Sequence, residues 1–314
     1  QQLYYIPVIN LCMSHWDPAL RSLQDSTGNL YGPESFIGYL RDTDQDPNQY
    51  RTAAELSIDT RTELSNRLQE EDTMVLRLGR APDRPGTQFA LVNAANTLDD
   101  FFINESEFTP VNRQTLDYSS GGNDALDLQQ SAKDMLEVYR TLPTFSETSF
   151  VNFALSTGIV SQALDLDSKQ IGTAPTTVAS TFDFRYEPHP EHPSVVHHNS
   201  GQIEIDALIM TRRNGKRILL VIEAKRGSPL DLAKHKLAYP AIAAKTSLSL
   251  AVDHIIPVYI RANSIDDMIR YSIYECSDVP AGETKPSLAG LEVVDDHHYE
   301  VIINQSGSQQ QRLT

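Results

Sequence analysis

The sequence predicts an α+β chain in two parts: a mixed α/β N-terminal half, then a unit built on a sheet with helices around it. Three observations carry this prediction. Short helical patterns give way to two apolar runs within the first 105 residues, and a regular succession of helices and strands starts near residue 128. In addition, Asn214-Gly215 joins two Ile-, Leu- and Val-rich runs, the strongest short-range signal for a two-residue hairpin. A 314-residue chain with 40% apolar and 22% charged residues can bury a large core. No run approaches the ~18 apolar residues of a membrane helix, and no basic stretch precedes an apolar segment at the start, so neither a membrane span nor a leader is expected. The two cysteines, Cys12 and Cys276, are far apart and in no ligand spacing. They fit small buried hydrophobes in a reduced, cytoplasmic setting.

Along the chain, "GPESFIGYLRD" (32–42) has a Pro-Glu-Ser start and helical apolar spacing. The segment 52–72 reads as two helices broken at Ser57-Ile58-Asp59-Thr60, where capping residues cluster. Runs 73–79 and 87–94 read as strands joined by a Pro/Gly loop. Helices followed by a hairpin is also the order of a winged helix-turn-helix. Residues 106–127 are polar, contain Ser-Ser-Gly-Gly and read as a connector, which closes an accessory or DNA-recognition domain over 1–127. The second domain, 128–304, is expected to hold helices at 128–140 and 146–164, a Pro/His-rich loop at 187–200 and the hairpin. A helix at about 230–245 and strands at 254–262, 269–276 and 298–304 complete it. Residues 305–314 read as a tail.

The net charge of −16 is unevenly spread. Residues 1–140 carry 11 basic and 22 acidic side chains, whereas residues 205–245 carry nine basic against three acidic. A local positive potential of this kind steers a polyanion even on an acidic chain.

The hairpin concentrates the chemistry. A two-residue turn at Asn214-Gly215 sets Arg213 opposite Lys216, and continuing outward it sets Asp206 opposite Glu223 and Glu204 opposite Lys225. Alternate residues share a face, so all four would project from one side of the sheet. Two opposed carboxylates repel, and a divalent cation between them removes the repulsion; Mg²⁺ takes oxygen ligands of this kind. The Ala224 carbonyl offers a further oxygen. Lys225, beside the metal, would stabilise phosphate charge or position a water, with a lowered pKa if it assists deprotonation.

Asp206, then sixteen residues, then Glu223-Ala224-Lys225 after "ILLVI" resembles the signature of the PD-(D/E)xK nuclease superfamily. Ile205 stands where the motif has Pro. The resemblance, over about residues 140–262, implies a restriction-endonuclease-like central mixed sheet flanked by helices. It implies Asp206 and Glu223 as Mg²⁺ ligands and Lys225 as a catalytic residue. Glu147 is the candidate for an additional upstream acid, and Glu204 for an extra ligand or a partner of Lys225. Arg212, Arg213, Arg226, Lys234 and Lys236 are candidate DNA-phosphate contacts. The function implied is Mg²⁺-dependent hydrolysis of double-stranded DNA by a type II restriction-like endonuclease. A homodimer and a cognate DNA methyltransferase encoded nearby are the partners such enzymes have. A repair or junction-resolving nuclease and a non-catalytic DNA-binding protein of the same fold are the alternatives.

Other motifs carry less. His189, His192, His197 and His198 show no helical pair or Cys partner that would make a zinc site, and they fit a loop. Phosphate-loop, nucleophile-elbow, zincin and dinucleotide-binding patterns are absent from the sequence. Tyr259, Tyr271 and Tyr274 alternate within strands and are expected in the core.

Overall fold

A computed structural model describes residues 14–108, 110, 112–117, 136–139, 141, 146–168, 171, 180–192, 194–248, 251–265, 267–279 and 286–302. The chain is mixed α/β. Helices α1 (Asp17–Gln24), α2 (Phe36–Asp42), α3 (Thr52–Leu56) and α4 (Asn66–Glu70) belong to the N-terminal half, with strands β1 (Leu30–Ser35), β2 (Thr73–Arg80), β3 (Thr87–Asn93), β4 (Phe102–Asn104) and β5 (Gln114–Asp117). Helices α5 (Glu147–Ser156) and α6 (Ile159–Ala163) and strands β6 (Ser180–Tyr186), β7 (Val196–Ile203), β8 (Ala207–Arg213), β9 (Lys216–Arg226) and β10 (Asp231–Ala233) follow. Helix α7 (His235–Ser247) then leads to β11 (His254–Ile265), β12 (Met268–Cys276) and β13 (Val293–Ile302).

Three sheets form, with strand orders β1-β3-β2-β7-β6, β10-β4 and β5-β13-β12-β11-β9-β8. The six-stranded sheet is mixed: β9 and β11 run parallel through the α7 crossover, whereas β8, β12 and β13 pair antiparallel with their neighbours β9, β11 and β12. Strand β5 closes its far edge, parallel to β13. One face packs on α5 and α6 through Phe150, Phe153, Leu220, Ile222, Val258 and Ile260. The other packs on α7 and the N-terminal half through Leu219, Val221, Leu237, Ile242 and Tyr259.

The sheets do not respect a boundary at residue 127. The expected connector contributes β5 to the six-stranded sheet, and β6 and β7 complete the sheet of the N-terminal half. Gly79 on β2 bridges Asn199 on β7; its φ is +84°, and a Cβ there would fall 2.2 Å from the Asn199 carbonyl oxygen, so only glycine permits this junction. The five-stranded sheet also replaces the wing expected of a winged helix-turn-helix, whose hairpin would stand as two strands.

Other departures have local causes. Residues 30–35 are strand, and the helix starts only after Ser35, whose hydroxyl accepts from the Gly38 amide. The helix expected over 146–164 is capped by Ser146 as predicted but breaks at Gly158, with φ +79°. Residues 231–233, read as a helix start, instead pair with β4. The sequence 196–200, read as loop, is strand, with His198 buried and stacked on Phe184. Of the helix expected at 128–140, residues 136–139 are helical, and the rest lies outside the described residues, as do Cys12 and the tail at 305–314. Cys276, Tyr259, Tyr271 and Tyr274 are buried, as expected.

Candidate active site

The site grows out of the alternation of β9. Leu220, Ile222 and Ala224 pack under α5, which turns Leu219, Val221, Glu223 and Lys225 to the face covered by α7 and the N-terminal half. The hairpin register is the expected one: Arg213 pairs with Lys216, and Ala207 with Ile222. Asn214 and Gly215 both have positive φ (+53° and +75°), the conformation of a twisted two-residue hairpin turn. Asp167 clamps this turn by accepting from both the Asn214 and Gly215 amides.

The ladder ends at Ala207–Ile222, one residue short of Asp206. Beyond it β9 has no partner on the β8 side, and the Asp206 carboxylate takes over there, accepting the Ala224 amide at 2.7 Å. Asp206 and Glu223 therefore stand across from each other as side chains rather than as a ladder pair. The expected pairing of Glu204 with Lys225 is not made. Strand β7 ends at Ile203, paired with Ser180 in the other sheet, and the turn back toward β8 places Glu204 in a neighbouring cleft.

Lys225 lies 2.9 Å from Glu223 and 3.6 Å from Asp59; Lys236, on α7, lies 3.3 Å from Asp59 and 3.9 Å from Glu223. Two carboxylates and two ammonium groups thus alternate around a small ring, with Glu223 only 3% exposed. Burial, and then Asp206, push the Glu223 carboxyl up to about 7, against the opposing pull of the two lysines. Burial raises Asp206 as well, and Glu147 and Glu204 add to the shift, while the Ala224 amide and Lys225 counter it. Burial would lower Lys225, yet Glu223, Asp59 and Glu147 outweigh it and hold the ammonium above its ordinary range. With these carboxylates unscreened by a cation, the Lys225 pKa is raised rather than lowered.

Asp59 was not legible as a site residue. It is set by a capping box, in which Glu63 accepts the Asp59 and Thr60 amides, and by β10, whose Ala233 amide donates to the Asp59 carbonyl. Burial would raise its carboxyl, but Lys236 and Lys225 draw it below the usual range.

The remaining candidates separate. Glu147, in the first turn of α5, accepts the Arg226 amide at 3.2 Å and so reaches the site. Lys236 belongs to it. Lys234 does not face a phosphate: it is 8% exposed, donates to the Ala289 carbonyl, and burial lowers its pKa. Arg212 and Arg213 sit at the turn, about 20 Å along the strand from Asp206, with Arg213 paired to Glu275 at 2.8 Å and Arg212 donating to the Gly215 carbonyl. The basic patch counted in the sequence is therefore split between two ends of β8 and β9.

Among the described residues, no group of three or more His, Cys, Asp or Glu side chains gathers as metal ligands. The donor set of Asp206, Glu223 and the Ala224 carbonyl suits a Mg²⁺ ion, which uses one or two carboxylates and completes its shell with water and substrate phosphate. Burial raises both carboxyls, with Asp206 adding to the shift of Glu223, and a bound cation would favour their ionised forms.

Fold and site together define a mixed α/β protein with paired carboxylates and a lysine at the end of the hairpin of β8 and β9, on the edge of its six-stranded sheet. The chain belongs to the family described as a domain of unknown function, DUF6997, whose model matches residues 118–283. That span takes in Glu147, Asp206, Glu223, Lys225 and Lys236 and leaves out Asp59. No curated protein and no solved structure matches the chain.

Proposed function

We propose that this chain is a Mg²⁺-dependent endonuclease of the restriction-endonuclease-like fold, hydrolysing phosphodiester bonds in double-stranded DNA at the site formed by Asp206, Glu223 and Lys225. The observation that carries the reading is the meeting of these three groups around Ala224, whose amide is held by Asp206 at 2.7 Å while Glu223 and Lys225 flank it. When bound, Mg²⁺ would supply Lewis acidity toward the phosphate and a more acidic water. Asp206 and Glu223 would hold it. Lys225, kept charged by its neighbours, stabilises negative charge on the phosphate and orients water, and Lys236 adds a second positive charge at the same place. Glu147 shapes the local field and fixes Arg226 through its backbone.

The acidic N-terminal half and the split basic patch favour a small phosphate footprint around the site. A homodimer, which would double that footprint on duplex DNA, belongs to the same proposal, as do a neighbouring methyltransferase and a cytoplasmic location. No described helix is long and apolar enough to cross a membrane. Incubation of plasmid and of four-way-junction DNA with Mg²⁺, compared with EDTA, tests the reading. Discrete plasmid fragments are expected. Nicking of the junction alone marks a junction-resolving enzyme, and binding without any cleavage by wild type overturns the catalytic assignment.

A further inference from the structure

A cleft opens beside the site and shares Asp59 and Lys236 with it. Asp59, Lys236 and Glu204 stand on its rim, and Arg77, His198, His235 and Tyr239 line its interior, enclosing about 470 Å³ including the open mouth. Its chemistry differs from that of the phosphate site. The two cations, Arg77 and Lys236, are balanced by Asp59 and Glu204, so the cleft has no net attraction for an anion. Burial also keeps both imidazoles neutral, with His198 lowered to about 4 and His235 to about 3.

Its wall is aromatic and fixed. The Tyr239 ring has the His198 ring at 5.2 Å and the His235 ring at 5.3 Å. The Tyr239 hydroxyl is committed to Tyr186, at 2.5 Å, which leaves the ring as its means of contact. His198 is held against Phe184, with centroids 4.6 Å apart and the rings 11° from parallel. One polar atom here is unsatisfied: His235 Nδ1 is buried and has no hydrogen-bond partner among the described residues. A buried orphan of this kind costs free energy unless a ligand or water completes it. Ser57, whose hydroxyl accepts from Arg77 at 2.9 Å, and Gln202 add further hydrogen-bonding groups.

We infer that this cleft receives a single nucleobase, unstacked from its neighbours, while the adjoining phosphate lies at Lys225 and Lys236. A flat, neutral heterocycle with ring-edge donors and acceptors matches an aromatic wall, the Ser57 and Gln202 side chains and balanced charge, and stacking on aromatic rings is a common way to hold one. The inference rests on the phosphodiester reading of the neighbouring site and specifies how the substrate is presented to it.

The test is direct binding of the four deoxynucleoside 5′-monophosphates and of 2-deoxyribose 5-phosphate to the full chain in EDTA, followed by ligand-observed NMR. At least one nucleotide should bind about ten-fold or more tightly than the base-free sugar phosphate, the scale of one stacked base. Gln202→Trp and Ser57→Trp, which fill the cleft, should each erase that preference in proteins whose circular dichroism matches wild type. Nucleotides that bind no better than the sugar phosphate overturn the inference, as does a preference that survives both tryptophan variants. Base preference in a chain that never cleaves DNA leaves the cleft standing and removes the nuclease; cleavage without base preference does the reverse.

Discussion

Asp59 and Lys225, 166 positions apart in the sequence, meet 3.6 Å apart at the covered face of the central sheet. Asp59 also reaches Lys236 at 3.3 Å, so one carboxylate from the N-terminal half pairs with both lysines. Asp59→Asn keeps the shape and removes that charge. Mg²⁺-dependent plasmid cleavage should fall roughly 10- to 100-fold, the usual effect of losing a group that orients a metal-site side chain. Thermal stability should change little, since Asp59 is 38% exposed and a pair of that kind is weakly stabilising. Asp59→Glu should recover part of the activity; an Asp59→Asn protein as active as wild type would show that the contact does not serve the reaction.

Asp206→Asn separates metal binding from architecture. The carboxamide oxygen introduced by this substitution can still accept the Ala224 amide, so the end of β9 stays capped. The negative charge opposite Glu223 is gone. Cleavage should drop by about three orders of magnitude or more, as when a principal catalytic group is removed, with an unchanged far-ultraviolet spectrum. Wild-type rates in this variant, or in Lys225→Ala, would remove these residues from the mechanism.

These two sites show what the sequence could disclose. The hairpin register followed from Asn214-Gly215 alone, because a two-residue turn fixes every pair up to Ala207–Ile222. It failed at Glu204, where Ile203 is claimed by the other sheet; local pairing rules carry no information about a competing partner. Asp59 was invisible for the same reason: the capping cluster that fixes its backbone was legible, but not the strand β10 that brings it to Lys225. Lys234 illustrates the converse, since a charge counted toward a basic patch is buried against a carbonyl.

Glu223 should make stability depend on pH in the absence of metal. Its folded-state carboxyl titrates at about 7, against an ordinary value of 4.5. The folded state therefore binds a proton that the unfolded chain has released, and this contribution is present at low pH and lost as pH rises through 7. Glu223→Gln lacks the titration. The stability of wild type relative to Glu223→Gln should fall between pH 4.5 and 8 by up to about 3 kcal/mol, measured by urea denaturation in EDTA. A bound divalent cation favours the ionised carboxylate, so Mg²⁺ should flatten the difference. A parallel pair of curves without metal would contradict the assigned environment of Glu223.

The Glu105–Arg261 pair should be the largest single electrostatic contribution to holding the N-terminal half on the sheet. Glu105 and Arg261 are each about 4% exposed, and the Arg261 guanidinium donates to the Glu105 carboxylate at 2.6 Å. The Tyr259 hydroxyl donates to the same carboxylate at 2.5 Å, and Arg261 also contacts Tyr259. Arg261 pairs in register with Lys225, and Tyr259 with Glu223, so this network forms the floor next to the site. Removing one partner leaves the other charge buried and uncompensated, which costs more than the pair itself contributes. Glu105→Ala should destabilise the fold by about 3–5 kcal/mol in urea denaturation. The double variant Glu105→Leu/Arg261→Met, which removes both charges, should recover much of that loss, because desolvation no longer has to be offset. Cleavage should stay low in the double variant even where stability returns, since Tyr259 and the strand beside Glu223 and Lys225 lose the groups that position them. Full activity together with recovered stability would make the network purely structural.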